Sequence, residues 1–468
     1  MPRVAVLPLL ALACCTVPPP PDPAAQLLRT LSLEQKAGQL FMAWTLSRSD
    51  GEGPAHNHTK LRAAVRDAGL GGVIVSLGTT ADAAALIPTL QDAASIPLLI
   101  ASDFEGGVWW RLRGATELGN QMLVGATGSA ELAEAMGRVT AREAKALGVH
   151  WVFAPVLDVN NNPANPIINV RSFGADPDLV ARLGSAFVRG VQSEGLLACG
   201  KHFPGHGNVD SDSHLAVATV PGDRAALERT ELRPFAAAIE AGLASVMTGH
   251  LAVPGLGEAA DVPATLSPRI LTGILRDELG FQGLIVTDAL EMGGVKNAFP
   301  PGEVAVRALL AGADVLLMPP DPFAARDAVV AAVQSGRVPV ARLDAAVLRI
   351  LQAKARVGLL AGGGRVAGDW ESRLRTREAE GVADRIAAAG LTLVRNRDGV
   401  LPLGDGGGEG ALLVNLFDQD EGGGVAFAEA LSPCCRGGEL RLSSASTASE
   451  VAAASQRVAA AHTIVLGL

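Results

Sequence analysis

Short apolar segments alternate with longer amphipathic segments between about residues 30 and 360. This alternation predicts a parallel β-sheet built from successive strand and helix units. Eight such strands are predicted, and eight is the number that closes a (β/α)8 barrel. The sequence therefore predicts an α/β protein with a TIM-type barrel. The predicted strands are 38–44, 71–77, 97–103, 150–156, 196–202, 244–250, 283–289 and 313–319.

Polar residues occupy the last positions of several predicted strands, namely Asp103, Lys201, His202, His250 and Asp288. In a closed parallel barrel, the carboxyl ends of all strands meet at one mouth, where barrel enzymes carry their chemistry. An open doubly wound sheet is the alternative, and it would spread these side chains along a crevice. The regular spacing of eight strands favours the closed barrel.

The predicted barrel domain covers residues 25–362 and is followed by a glycine-containing linker over 363–382. Beyond it, residues 383–468 read as a second α/β unit, which we interpret as the start of an αβα sandwich domain. The sequence stops within an apolar segment, so we expect this second domain to be truncated. Its predicted strands lie in 390–403, 410–418 and 462–468.

Residues 1–24 have the order of a secretory signal followed by a proline-rich linker. Arg3 precedes an apolar run that ends at Ala13 and is too short to span a bilayer. The run resembles a bacterial lipoprotein signal, with Cys14 as the lipidated residue. We expect a secreted protein, periplasmic or at the cell surface, that meets the membrane only through this anchor. An ordinary signal peptide cleaved nearby, or a start codon assigned too early, is the alternative.

Composition excludes several classes of function. Apolar residues form 49% of the chain and charged residues 19%, which is typical of a globular protein. The net charge of −9 and the absence of a Lys or Arg run argue against nucleic acid as a partner. The five cysteines form neither a CxxC pair nor a disulfide framework. Cys199 is expected to be a small buried residue.

The segment GKHFPGHGNVDSDSH, residues 200–214, is rich in candidate catalytic groups. His202 and His206 have the spacing of a helical metal pair, but the Pro-Gly between them denies the helix that this spacing needs. Asp212 lies two residues before His214, so in an extended loop the two side chains can hydrogen bond. A histidine held in this way suits a general acid/base near neutral pH. A solvated loop without a catalytic role is the alternative.

Asp288 is a candidate catalytic nucleophile by position, because it ends the predicted strand 283–289 at the barrel mouth. An aspartate that caps the following helix is the alternative interpretation. Glu291 is a rival carboxylate, but one helical turn further on it should point away from the barrel axis.

Four ordered motifs carry a family resemblance. SDFEGGVWWRL, NVRSFGADP, GKHFPGHG with the later DSH, and IVTDALEMGG resemble glycoside hydrolase family 3, in its β-N-acetylhexosaminidase branch. The similarity spans roughly residues 28–360, and VLPL with the following strand resembles the start of that family's αβα sandwich. The KHFPGHG motif with a downstream DSH is the most specific part.

The resemblance implies a retaining exo-β-N-acetylglucosaminidase that needs neither metal nor organic cofactor. Asp288 would form the covalent glycosyl-enzyme, with His214 as the acid/base and Asp212 orienting it. The substrate would be a glycan with a terminal N-acetylglucosamine, such as a peptidoglycan fragment or a chitin oligomer. The sugar-binding residues implied are Asp103, Arg111, Arg171, Lys201 and His202.

Some positions depart from the family pattern and leave alternatives open. Phe104, Trp109 and Trp110 stand where the family commonly has polar residues, so the shape of the aglycone side is open. Either tryptophan could stack on a sugar or belong to the core. Glu105 is expected to hold the turn formed by the two following glycines. Among functions, a β-glucosidase of the same family, phosphorolysis in place of hydrolysis, a non-catalytic cell-wall-binding lipoprotein and a metal-dependent barrel hydrolase are the alternatives.

Overall fold

The structure, a computed structural model, describes two compact units, Met1–Leu391 and Thr392–Leu468, each through part of its residues. Residues 1–21, which include Cys14, lie outside the described part. The described residues are 22–48, 57–211, 217–296, 299–396, 411–416, 429, 431, 435, 438–443, 445–461 and 463–467.

The first unit contains an eight-stranded parallel barrel, as the alternation of apolar segments predicts. The strands follow one another around the ring in chain order, with β8 beside β1. The ring is nearly closed by a bridge between Val286 and Val315, where the Thr287 N–H donates to the Val315 carbonyl at 3.0 Å. The strands are β1 Phe41–Leu46, β2 Gly72–Ser76, β3 Leu99–Ser102, β4 Trp151–Val152, β5 Leu197–Phe203, β6 Ser245–Thr248, β7 Leu284–Thr287 and β8 Leu316–Leu317.

Helices surround the barrel, and polar caps start several of them. Thr79 and Asp82 form a reciprocal capping box at one helix start, and Asp176 accepts two backbone N–H groups ahead of Pro177 at another. The helices are α1 Pro23–Thr30, α2 Leu33–Gln39, α3 His58–Asp67, α4 Thr80–Ala93, α5 Gln121–Thr127, α6 Ala130–Ala146, α7 Pro177–Ser193, α8 Arg224–Arg229, α9 Leu232–Glu240, α10 Arg269–Glu278 (a π-helix), α11 Gly293–Lys296, α12 Pro301–Ala311, α13 Pro322–Gln334, α14 Val340–Arg356, α15 Trp370–Arg373 and α16 Arg377–Gly390.

The barrel interior is a packed core below the mouth. Trp151 is fully buried, and its indole N–H donates to the Ser245 hydroxyl at 2.7 Å, which in turn donates to the Ala198 carbonyl. At the opposite end, the buried Lys354 ammonium donates to Gln39 at 2.5 Å, and Asp314 accepts from Arg276. These contacts fix the strands whose carboxyl ends form the mouth.

The first unit continues to Leu391, beyond the segment 363–382 that the sequence assigns to a linker. The Ala367 N–H donates to the Ala146 carbonyl, and the Arg375 N–H donates to the Glu143 carboxylate at 2.9 Å. Apolar side chains of α16 are also buried against the barrel helices. The division between the units therefore lies after α16, because hydrogen bonds and apolar contacts hold this glycine-containing segment to the barrel.

The second unit has a three-stranded parallel sheet with β9 in the centre. Two of its strands agree with the predicted segments 410–418 and 462–468. In the third predicted segment, residues 391–396 form no strand, and residues 397–403 lie outside the described part. Within the described residues of both units, no helix is long and apolar enough to cross a membrane. The elements are β9 Ala411–Leu416, β10 Glu439–Leu442, α17 Ala448–Ala460 and β11 Thr463–Gly467.

Candidate active site

A pocket of about 460 Å³ opens at the carboxyl ends of the barrel strands. Most of the polar residues that end the predicted strands line it, as expected of a barrel enzyme. Aromatic and aliphatic side chains complete the wall. The lining residues are Trp44, Ile74, Asp103, Glu105, Trp110, Arg111, Phe153, Pro166, Ile167, Arg171, Lys201, His202, His206, Met247, Asp288, Ala289, Leu317 and Met318.

Four charged side chains form a connected network in this pocket. The Lys201 ammonium lies 2.7 Å from the Asp103 carboxylate and 2.7 Å from the Glu105 carboxylate. Glu105 also accepts two hydrogen bonds from Arg171, at 2.8 Å and 2.9 Å, in a bidentate pair. The side chains of Lys201 and Glu105 are only 2% and 3% exposed. The network thus pairs two cations with two carboxylates inside the protein.

Electrostatics keep the buried members of this network charged. Burial acts to raise the pKa of Glu105, but Arg171 and Lys201 outweigh it and hold that pKa well below its usual range. Burial acts to lower the pKa of Lys201, but Asp103 and Glu105 outweigh burial and the repulsion of Arg171, so the pKa is raised. Lys201 therefore presents a permanent cation to the pocket near neutral pH.

His202 extends the network to a further carboxylate. Its Nδ1 lies 2.7 Å from Asp158, and its Nε2 lies 3.3 Å from the Arg171 guanidinium. Asp158 also accepts the backbone N–H groups of His202, at 3.1 Å, and His206, at 2.7 Å. The peptide bond between Lys201 and His202 is cis, and both side chains line the pocket.

Asp288 lies directly after β7 and faces the same pocket. The Ala289 N–H donates to its carboxylate at 2.8 Å, and His250 contacts the Ala289 carbonyl through Nε2 at 2.9 Å. Burial acts to raise the pKa of Asp288, but His202, His250, the Ala289 N–H and Lys201 outweigh it and lower the pKa below its ordinary value. The carboxylate is therefore ionised near neutral pH, as a nucleophile must be.

Comparison with known proteins agrees with this geometry. The model of the glycosyl hydrolase family 3 N terminal domain matches residues 32–353. This chain belongs to glycosyl hydrolase family 3. The match covers all eight barrel strands and every described charged residue of the pocket.

Several known proteins align with most of this chain. A β-N-acetylglucosaminidase/β-glucosidase from Cellulomonas fimi is 36% identical, with 80% of this chain and 67% of that protein aligned. A family 3 β-N-acetylglucosaminidase structure from Paenibacillus sp. str. FPU-7 is 37% identical, with a TM-score of 0.82, and the alignment covers 93% of this chain and 84% of that one. A β-glucoside phosphorylase structure is 28% identical, with a TM-score of 0.81 and coverage of 91% and 77%.

The structure brings six of the predicted site residues of this family 3 chain to one pocket: Asp103, Arg111, Arg171, Lys201, His202 and Asp288. The catalytic and sugar-binding roles that the resemblance implies for these six residues remain predictions. Asp212 and His214 lie outside the described residues, which end at 211 on this loop and resume at 217. Among the described residues, no group of three or more His, Cys, Asp or Glu side chains is arranged to hold a metal ion.

Glu105 differs from the turn-holding role expected of it, because its carboxylate binds Arg171 and Lys201 instead. Those partners lie 66 and 96 positions further along the chain, so local sequence gives no sign of the pairing. Asp158 was not a candidate in the sequence, although it is an isolated carboxylate shortly after predicted strand 150–156. That position, at the carboxyl end of a barrel strand, is the signal that could have found it.

The two adjacent tryptophans have different surroundings, which answers the question that the sequence left open. Trp109 packs against the hydrophobic core, whereas Trp110 lines the pocket. A Cβ at Gly106 would meet the Trp110 ring at 2.8 Å, so the indole lies directly against the Gly106 backbone. Phe104 is fully buried in the core. Glu291 is exposed and does not line the pocket, as expected.

Proposed function

We propose that this chain is a retaining exo-β-N-acetylglucosaminidase that removes terminal N-acetylglucosamine from glycans. The observation that carries the proposal is an ionised Asp288 that lines one pocket together with Lys201, His202 and Asp103. Such a lining supplies donors and acceptors for sugar hydroxyls. The family 3 relatives named for N-acetylglucosaminidase activity support the choice of sugar.

In the first chemical step, an Asp288 carboxylate oxygen attacks the anomeric carbon. The bond from that carbon to the glycosidic oxygen breaks, and His214 gives its proton to the leaving oxygen. In the second step, His214 takes a proton from water, whose oxygen attacks the anomeric carbon and releases Asp288. Asp212 orients the His214 ring and stabilises its charged form.

Peptidoglycan fragments and chitin oligomers are the proposed substrates, because both present terminal N-acetylglucosamine. We further propose that the protein is secreted and held at a membrane by a lipid on Cys14, so that it meets such glycans outside the cytoplasm. Mass spectrometry of the protein purified from membranes tests the anchor, since lipidation adds a diacylglyceryl group to the new N-terminal cysteine.

A β-glucosidase is the second candidate, since the relative from Cellulomonas fimi carries both activities in its name. The decisive assay compares release of 4-nitrophenol from its β-N-acetylglucosaminide and its β-glucoside. We expect turnover of the acetamido sugar to dominate. Preference for the glucoside would overturn the proposed substrate, and no turnover of either sugar would favour a carbohydrate-binding role.

The acid/base assignment needs a separate variant. We expect His214→Ala to be slow on the acetamido sugar and to form the β-glycosyl azide when azide is added, because azide attacks the glycosyl-enzyme without general base help. Wild-type activity in this variant would remove His214 from the mechanism. The same reaction in phosphate buffer, analysed for the glycosyl phosphate, distinguishes phosphorolysis from hydrolysis.

A further inference from the structure

Asp158 is a fully buried carboxylate that does not line the pocket itself but contacts His202, which does. It follows β4, and all of its side-chain hydrogen bonds in the described residues go to one short segment that begins in the last residues of β5. That segment, 202–206, leads into the loop that carries Asp212 and His214.

The hydrogen bonds determine where the His202 ring carries its proton. Arg171 can only donate, so the His202 Nε2 that lies 3.3 Å from its Nη2 is an acceptor. A neutral imidazole with an accepting Nε2 carries its proton on Nδ1, and Nδ1 lies 2.7 Å from the Asp158 carboxylate. The Nδ1–H therefore donates to Asp158.

The other hydrogen bonds fix the backbone on both sides of the Phe203–Pro204 turn. One Asp158 oxygen accepts the N–H groups of His202 and His206, which lie four residues apart. Burial acts to raise the pKa of Asp158, but His202 and then His206 outweigh it and lower the pKa, so the acceptor stays anionic. A neutral amide at this position could accept the two N–H groups but would present an N–H to Nδ1.

We propose that Asp158 is a positioning residue for the glycosidase reaction: it accepts the Nδ1 proton of His202, so that Nε2 is left to accept from Arg171 at the pocket wall, and it anchors the backbone of segment 202–206. The proposal rests on the proposed function for its kinetic part. The part that concerns the His202 proton does not depend on the proposed function, because it can be tested without a substrate.

The first test is the ¹⁵N and ¹H spectrum of the imidazole groups in full-length protein, with the His202 signals assigned through His202→Gln. We expect a protonated Nδ1 and a bare Nε2 in the wild type. In Asp158→Asn the side-chain amide opposes the Nδ1 proton, while Arg171 still requires an accepting Nε2, so the Nδ1 proton loses its anionic acceptor and its downfield ¹H signal should be lost. A wild-type His202 with its proton on Nε2, or an unchanged Nδ1 proton signal in the variant, overturns the proposal whether or not the enzyme acts on N-acetylglucosaminides.

The second test is kinetic. Asp158→Asn should lower kcat/KM for 4-nitrophenyl β-N-acetylglucosaminide by about 10- to 100-fold, the effect of one mispaired buried hydrogen bond, chiefly through a higher KM. Asp314→Asn is the matched control, because Asp314 is equally buried but lies at the opposite end of the barrel. It should lower the melting temperature and leave kcat/KM per folded molecule unchanged. Equal kinetic loss in both variants would reduce Asp158 to a structural role, whereas an inactive wild type would refute the proposed function alone.

Discussion

The Lys201 ammonium and the Glu105 carboxylate lie 2.7 Å apart, and both side chains are almost completely buried. A buried pair of this kind costs desolvation on both sides, and it becomes strongly destabilising when one partner is removed. Glu105 is also the group that holds Arg171, so a single carboxylate stabilises two cations beside the candidate active-site pocket.

Glu105→Ala should therefore destabilise the protein by about 3–5 kcal/mol, because it leaves Lys201 and Arg171 with less compensation. Urea unfolding of wild type and variant measures the change. Glu303→Ala is the control: its pairs with Arg307 and Arg337 lie on the surface and are worth about 1 kcal/mol or less each. Equal effects in the two variants would contradict a special contribution from the buried network.

The same carboxylate makes stability depend on pH. The pKa of Glu105 in the folded protein is below its unfolded value of about 4.3. The stability that ionised Glu105 contributes is thus complete above its pKa in the unfolded chain, and it is lost as the pH falls toward its pKa in the folded protein. The difference in melting temperature between wild type and Glu105→Gln should be constant from pH 6 to 8 and shrink below about pH 4. A difference that grows on acidification would contradict the ionised pair.

Lys354 should also make the free energy of unfolding depend on pH, in this case through a buried amine and not a carboxylate. Burial lowers its pKa to about 7, and its side chain contacts only the neutral Gln39 amide among the hydrogen bonds of the described residues. Between about pH 7 and 10 the unfolded chain binds a proton that the folded chain releases, so the free energy of unfolding rises with pH. Lys354→Met should remove this rise, and Lys36→Met, on a partly exposed lysine, should keep it. Denaturant unfolding at several pH values measures both.

Asp288→Asn should lower kcat by roughly 10⁴-fold or more, because it removes the nucleophile of the proposed reaction. Intact-mass spectrometry with a 2-fluoro sugar should show a covalent adduct on the wild type and none on the variant. Glu291→Gln, three residues away and exposed, should label and turn over as the wild type does. An adduct on Asp288→Asn, or loss of labelling in Glu291→Gln, would reassign the nucleophile.

The two tryptophans offer a matched pair. Trp110→Ala should raise KM for an aryl glycoside several-fold with little change in stability, because this indole lines the pocket. Trp109→Ala should instead cost about 3 kcal/mol of stability, since that ring packs against the core. Steady-state kinetics and thermal unfolding on both variants separate the roles, and reversed results would exchange them.

The polar ends of apolar strands allowed much of the pocket to be predicted. Asp103, Lys201 and Asp288 lie at the carboxyl ends of predicted buried strands, so barrel closure alone brings them to one mouth. Glu105 could not be assigned its ion pairs in this way, because its partners are distant in the chain and ion pairing leaves no periodic signal. Trp109 and Trp110 are neighbours with similar propensities, and only the local backbone, a 3-10 turn over Val108–Trp110, determines which one lines the pocket.

The order of strands around the ring has a consequence for when the site comes into being during folding. Strands β3, β4 and β5 carry the residues Asp103, Asp158 and Lys201, and they are neighbours in both chain and ring. Asp288 follows β7, which lies two strands beyond β5 in both chain and ring. A folding intermediate that had formed only the first five strands would hold Asp103, Asp158 and Lys201 without Asp288. Under the proposed function, catalytic turnover therefore requires the later strands that bring in Asp288, whereas the residues proposed to bind the sugar come together before them.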